Sequence, residues 1–266
     1  MSKHTRSVLA TFAAGALLSA CGGGGGESPP PASRGEAPGA APGGAAPAGS
    51  GEFGTCAVVG RVTFQGQPPA AQAIKMDADP YCSLQHPHGA EVQDYVVGAD
   101  GGLKWVFVYV KEGLAGAYGP PAEPVVLDQK GCTYEPHVFG ISVDQKLSIL
   151  NSDETLHNIH ALPKNSRQFN LAMPRAGMQL EQKFTDAEVM VRVKCDVHPW
   201  MESWVGVVPH PFHAVTADDG AFRLERLPPG TYTVEAWHEA AGAKTMSVTV
   251  AEGETKEVTF AFEAAA

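Results

Sequence analysis

Beyond Cys56 the chain is broken into short runs of apolar residues closed by Gly, Pro, Asp or Asn, and nowhere does it sustain the 3.6-residue apolar period of a long helix. A chain patterned this way folds as an all-β protein. Val189 to Lys194 shows the strand period most cleanly. Val189, Val191 and Val193 fall on one face and Met190, Arg192 and Lys194 on the other, as in a half-buried strand. Further strands are predicted at Val58 to Phe64, Leu103 to Val110, Val138 to Val143, Lys146 to Leu150 and Trp204 to Val208. Residues 163–180 read as a loop or a short helical turn. The 30 Gly and 21 Pro supply the turns, and 44% hydrophobic residues are enough for real cores.

The ends are built differently. Lys3 and Arg6 open a charged start, and Val8 to Leu18 is an apolar run too short to span a membrane, as in an export signal. It closes on Leu18-Ser19-Ala20-Cys21, which resembles the lipobox of bacterial lipoproteins. That resemblance implies cleavage before Cys21, lipidation of its thiol and a place on the periplasmic side of the envelope; Gly22 in place of Asp points to the outer membrane. Residues 22–54 are almost entirely Gly, Ala, Pro and Ser and read as a flexible linker. No later stretch is long and apolar enough to span a bilayer. The formal charge of −10 argues against a nucleic-acid binder, whose phosphate contacts need clustered Lys and Arg.

The last fifty residues repeat a turn-and-strand pattern. Asp219-Gly220-Ala221-Phe222-Arg223-Leu224 is followed by Leu227-Pro228-Pro229-Gly230-Thr231-Tyr232-Thr233-Val234, with further strands at Thr245 to Val250 and Glu257 to Phe262. These motifs resemble the carboxypeptidase regulatory-like domain, a small β-sandwich that is usually an accessory module, so the resemblance speaks for fold more than function. Gly60 to Phe64 looks like the first strand of such a module, which would let the two flanks pack together around the centre. The expected division is an N-terminal β extension over 55–123, a central domain over 124–213 and the regulatory-like sandwich over 214–266.

The chemistry lies in Cys195-Asp196-Val197-His198-Pro199-Trp200-Met201, with His157 upstream. A thiolate, two imidazoles and a thioether are the donors of a blue-copper site, three strong ligands near a plane and a weak sulfur on the axis. Structural zinc sites favour several Cys or His and make little use of thioether. A hydrolase built on Cys195 and His198 lacks an orienting acid and an oxyanion-hole motif in the sequence.

Cys-x-x-His-Pro-aromatic-Met is the ligand loop of amicyanin, a small cupredoxin, and Cys195 to Met201 resemble it position by position. Leu156-His157-Asn158-Ile159-His160 is similar to the segment that carries the first ligand in that group. The resemblance covers about residues 124–210 and implies a cupredoxin-type Greek-key β-sandwich holding one type 1 copper ion. It implies His157, Cys195 and His198 as equatorial ligands, Met201 as the axial one, and Asn158 as a residue fixing the two ligand loops. The sequence outside that core could cover a face that small cupredoxins leave open.

His160 is read as a barrel or loop residue, and His137, His210, His213 and His238 as hydrogen-bonded structural residues. Met173 and Met178 are expected to pack near the copper end. Of the three remaining cysteines, Cys82 and Cys132 are the preferred disulfide pair, since Cys56 adjoins the linker and an exported chain permits one. The expected function is that of a periplasmic, lipid-anchored carrier of single electrons, not an enzyme, with Cys195 and His198 as the electronic route to the surface. Its acidic charge favours a basic redox partner such as a c-type cytochrome. The rival expectation is a non-redox envelope protein of structural or carbohydrate-binding-like type, in which copper is absent, stored or only stabilising. Trp237 is the aromatic that reading would examine first.

Overall fold

The computed structural model describes residues 50–264; the Cys21 expectation and most of the linker lie outside them. The described chain forms two β-sandwiches and a small cap. One sandwich joins both flanks of the sequence. Its first sheet has the order β15 (Ala221–Leu227), β1 (Cys56–Phe64), β18 (Thr255–Phe262), with β1 antiparallel to β15 and parallel to β18. The facing sheet runs β14 (His213–Val215), β4 (Phe107–Glu112), β16 (Gly230–His238), β17 (Gly242–Val250). Val58, Val62, Leu103, Val108, Leu224, Val234 and Phe262 fill the space between them. Burial of these aliphatic and aromatic side chains, at about 25 cal/mol per Å² of apolar area, holds the ends of the chain together.

The second sandwich is inserted between β4 and β14. Its five-stranded sheet runs β10 (Phe169–Met173), β9 (His157–Ala161), β12 (Glu188–Lys194), β13 (Glu202–Val208), β7 (Val138–Ser142). The four-stranded sheet runs β11 (Met178–Gln182), β8 (Leu147–Asn151), β5 (Val125–Lys130), β6 (Thr133–Glu135). This non-sequential order, with β13–β7 and β5–β8 parallel, is that of a cupredoxin-type Greek-key sandwich. Residues 163–180 are therefore not a loop or helical turn: they carry the two edge strands β10 and β11. β4 and β14 close the insertion by pairing antiparallel, Tyr109 opposite His213 and Phe107 opposite Val215.

The sandwiches meet along an apolar seam of Phe107, Val138, Val208, Trp204 and Trp237. Gly140 and Gly206 permit it, because a Cβ at Gly206 would stand 2.3 Å from the Phe107 ring. Trp237 packs against Trp204 with ring centroids 5.4 Å apart. Although its composition suits a linker, residues 50–54 are seated on the first sandwich. Phe53 lies 5.6 Å from Tyr118 and 5.8 Å from Phe212, centroid to centroid.

The cap consists of β2 (Ala73–Ile74), α1 (Pro80–Gln85) and β3 (Ala90–Glu91). Asp79 starts α1 by accepting from the N–H groups of Tyr81 and Cys82, and Pro80 fills the first helical position where no N–H is needed. A disulfide joins Cys82 to Cys132 in the β5–β6 hairpin. That hairpin turns on Gly131 and Cys132, both at positive φ, as a two-residue primed turn requires. His86 Nε2 bonded to the Gly131 carbonyl and Trp200 donating to the Cys132 carbonyl complete the attachment.

Candidate metal centre

β9 begins with His157 and β12 delivers Cys195 just past its end, so adjacent strands place both at the same end of the sandwich. The loop after Cys195 closes on itself: Met201 N–H donates to the His198 carbonyl, and Cys195 N–H to the Met201 carbonyl. His157, Cys195 and His198 then present donor atoms lying within 4.8 Å of one another, all three residues buried. Met201 is buried in the core beside Cys195.

The imidazoles are oriented from behind. His157 Nε2 lies 2.9 Å from Asp153 Oδ2, and His198 Nε2 lies 2.9 Å from Asp79 Oδ2. With Nε2–H donating to a carboxylate, each ring turns an Nδ1 lone pair inward, and the two Nδ1 atoms face each other at 2.9 Å. Two facing lone pairs beside a thiol repel unless a proton or a cation lies among them. Soft sulfur and two imidazole nitrogens so arranged fit copper, and carboxylates behind the rings are the usual outer support of such ligands.

Charge follows the same geometry. Burial opposes protonation of His157, but its bonds to Asp153 and Cys195 outweigh that and raise its pKa to about 8. Burial likewise penalises the Cys195 thiolate, yet the His157 bond and the Asn158, His198 and Val197 amides hold its pKa below an ordinary thiol's. His198 is pulled down by burial, partly countered by Asp79. Asp153 is itself fixed by the N–H groups of Gly131 and Cys132, each at 2.7 Å.

Asn158 ties the two ligand loops together. Its Oδ1 accepts from the Asp196 N–H at 2.7 Å and from the Cys195 thiol at 3.3 Å. Met173 packs in the core opposite His157 in the ladder, its sulfur 2.9 Å from Gln129 Nε2; Met178 is half-buried opposite Asn151. His160 pairs with Asp196, His137 with Glu239, and His238 stacks on Tyr95.

His198 is buried, with Asp79 on its outer nitrogen and Cys82 Sγ 3.7 Å away. Trp200, half-buried with its ring 5.1 Å from that of His198, lines a cleft together with Glu91, Asp94 and Glu202. Sequence reasoning missed Asp79 and Asp153. Asp153 sits four residues before His157, but Asp79 lies 119 residues from His198 and no local pattern links them.

Fold and site together define an all-β protein that pairs a cupredoxin-type sandwich with a regulatory-like one. Residues 206–263 match the carboxypeptidase regulatory-like domain family. No curated protein matches the chain. Among solved structures, a Cu(I) amicyanin variant is 19% identical over 38% of this chain and 97% of its own, with a TM-score of 0.29. A purple cupredoxin from Nitrosopumilus maritimus is 22% identical over 31% of this chain and 98% of its own, TM-score 0.27. A copper-containing nitrite reductase from Thermus scotoductus SA-01 is 21% identical over 35% of this chain but only 24% of its own, TM-score 0.29.

Proposed function

We propose that this chain is a type 1 copper protein that carries single electrons at the cell envelope, anchored through lipid on Cys21. One observation supports it above the others: Cys195 beside two imidazoles whose Nδ1 atoms face each other at 2.9 Å while both Nε2 atoms are held by carboxylates. Bound there, copper would supply one-electron chemistry between its two common oxidation states. His157, Cys195 and His198 would hold it, with the Met201 thioether as the weak fourth donor. The buried, bonded frame around these side chains limits rearrangement between oxidation states, which is what rapid electron transfer requires. The protein acts as a carrier and not as an enzyme, and its acidic charge suits a basic periplasmic partner such as a c-type cytochrome. The carbohydrate-binding reading gains nothing from Trp237, which is packed against Trp204.

The test is the absorption and electron paramagnetic resonance of residues 50–266 after adding Cu(II), with Cys195→Ser alongside. An intense visible thiolate–copper band with narrow hyperfine splitting, both lost in the variant, is expected. A colourless protein, or a spectrum indifferent to the substitution, overturns the assignment.

A further inference from the structure

We infer that Asp79, delivered by the cap, is a positioning residue that fixes the His198 imidazole in the one tautomer able to offer Nδ1 to a metal. The inference concerns the metal-free protein directly, and its bearing on copper rests on the function proposed above.

The two carboxylate oxygens of Asp79 have separate tasks. Oδ1 accepts from the backbone N–H of Tyr81 at 2.8 Å and, more weakly, of Cys82 at 3.4 Å, which caps α1. Oδ2 faces His198 Nε2 at 2.9 Å and accepts from the Thr155 hydroxyl at 3.0 Å. Because a carboxylate only accepts, Nε2 must carry the hydrogen, and Nδ1 is left with its lone pair. His198 is almost wholly buried, so water cannot substitute for this bond. Asp79 is itself held in place, since the disulfide fixes α1 to the β5–β6 hairpin three residues further on. A cap residue thus sets the chemistry of a ligand in the opposite half of the sequence.

Asp79→Asn separates the two tasks. The amide oxygen is retained by the N–H groups at the start of α1, and Asn caps helices as well as Asp does. The NH₂ then faces His198 Nε2, where it can only donate. His198 is forced to accept at Nε2 and to carry its hydrogen on Nδ1, the atom a metal needs. Asp79→Ser keeps a capping oxygen but does not reach the ring, and so controls for loss of the contact without reversal of its polarity.

The experiment is long-range proton–nitrogen NMR of the metal-free proteins in alkaline buffer, followed by competition titration with Cu(II). Wild type is expected to show the Nε2–H tautomer of His198 and Asp79→Asn the Nδ1–H tautomer. The Asn variant should lose roughly ten- to a hundredfold in copper affinity, the usual effect of removing such a support, with Asp79→Ser losing less. An Nδ1–H tautomer in wild type, or an unchanged His198 in Asp79→Asn, overturns the inference. If the tautomers switch as stated but Cu(II) gives no thiolate band in wild type, the positioning role stands and the copper function falls.

Discussion

Asn158 joins two ligand-bearing loops through one amide. Its oxygen takes the Asp196 N–H and the Cys195 thiol, and its nitrogen donates to Asn170 Oδ1 at 2.6 Å, with the residue only 6% exposed. Truncation to alanine would leave the buried Cys195 thiol and the Asp196 N–H without this acceptor. Asn158→Ala is therefore expected to cost about 1–3 kcal/mol of stability, read from the urea midpoint of the metal-free protein. A midpoint equal to wild type would show that the bridge contributes nothing to the fold. Asn158 was legible from its place next to His157. The Asp153–His157 pair was not read, although the two are only four positions apart, because an acid at that spacing in a strand-rich chain is usually a solvated loop residue.

At the scale of elements, the cap has few means of standing alone. Its two strands are two residues each, its helix has six, and its buried apolar cluster is Met76 and the disulfide itself, with Ile74, Tyr81 and Trp200 partly buried against them. The disulfide closes a separation of 50 residues, worth roughly 4 kcal/mol by loop entropy. Cys82→Ser with Cys132→Ser should therefore free residues 73–91 before either sandwich is disturbed. Hydrogen exchange is the measurement: protection is expected to collapse in the cap and persist in β12, β13 and β16. Equal loss in all three would show that the disulfide stabilises the molecule as a whole. The strands β10 and β11 were missed in the sequence although Phe169, Leu171 and Met173 alternate in burial as a strand should. The Pro174 to Gly177 turn between two short runs obscured the period, and edge strands bury too little to declare themselves.

For the whole molecule, the insertion makes the two sandwiches interdependent, and three histidines, His210 and His238 buried and His213 half-buried, sit where they meet or close. His213 lies against Gly140 and Phe107 at the seam, His210 stacks near Phe212, and His238 lies beneath Tyr95. Burial lowers the pKa of each from 6.5 to about 4. The folded values are depressed, so the unfolded chain binds more protons between those limits. The contribution to stability is present above 6.5 and is lost as pH falls through that window towards 4. At 1.36 kcal/mol per unit, the loss is about 3 kcal/mol for each histidine at most. Melting temperatures of the metal-free protein should fall steeply over this range, and less steeply in His210→Gln. A flat profile from pH 6.5 to 4 would contradict the assignment.

The sequence by itself determined the all-β class, from its period-two runs and turn residues, and the regulatory-like strands, from their turn motifs. It also kept Cys195, His198 and Met201 together, because one loop of seven residues carries all three wherever it is placed, and the fold brings His157 to Cys195 and His198. The place of β1 in the C-terminal sandwich was legible from Gly60 to Phe64, but only the tertiary structure decided that β4 completes the facing sheet, that the cap closes over His198, and that Asp79 bonds its outer nitrogen. Those contacts join residues more than a hundred positions apart, and their cause is burial shared between distant segments and a disulfide, neither of which leaves a periodic trace along the chain.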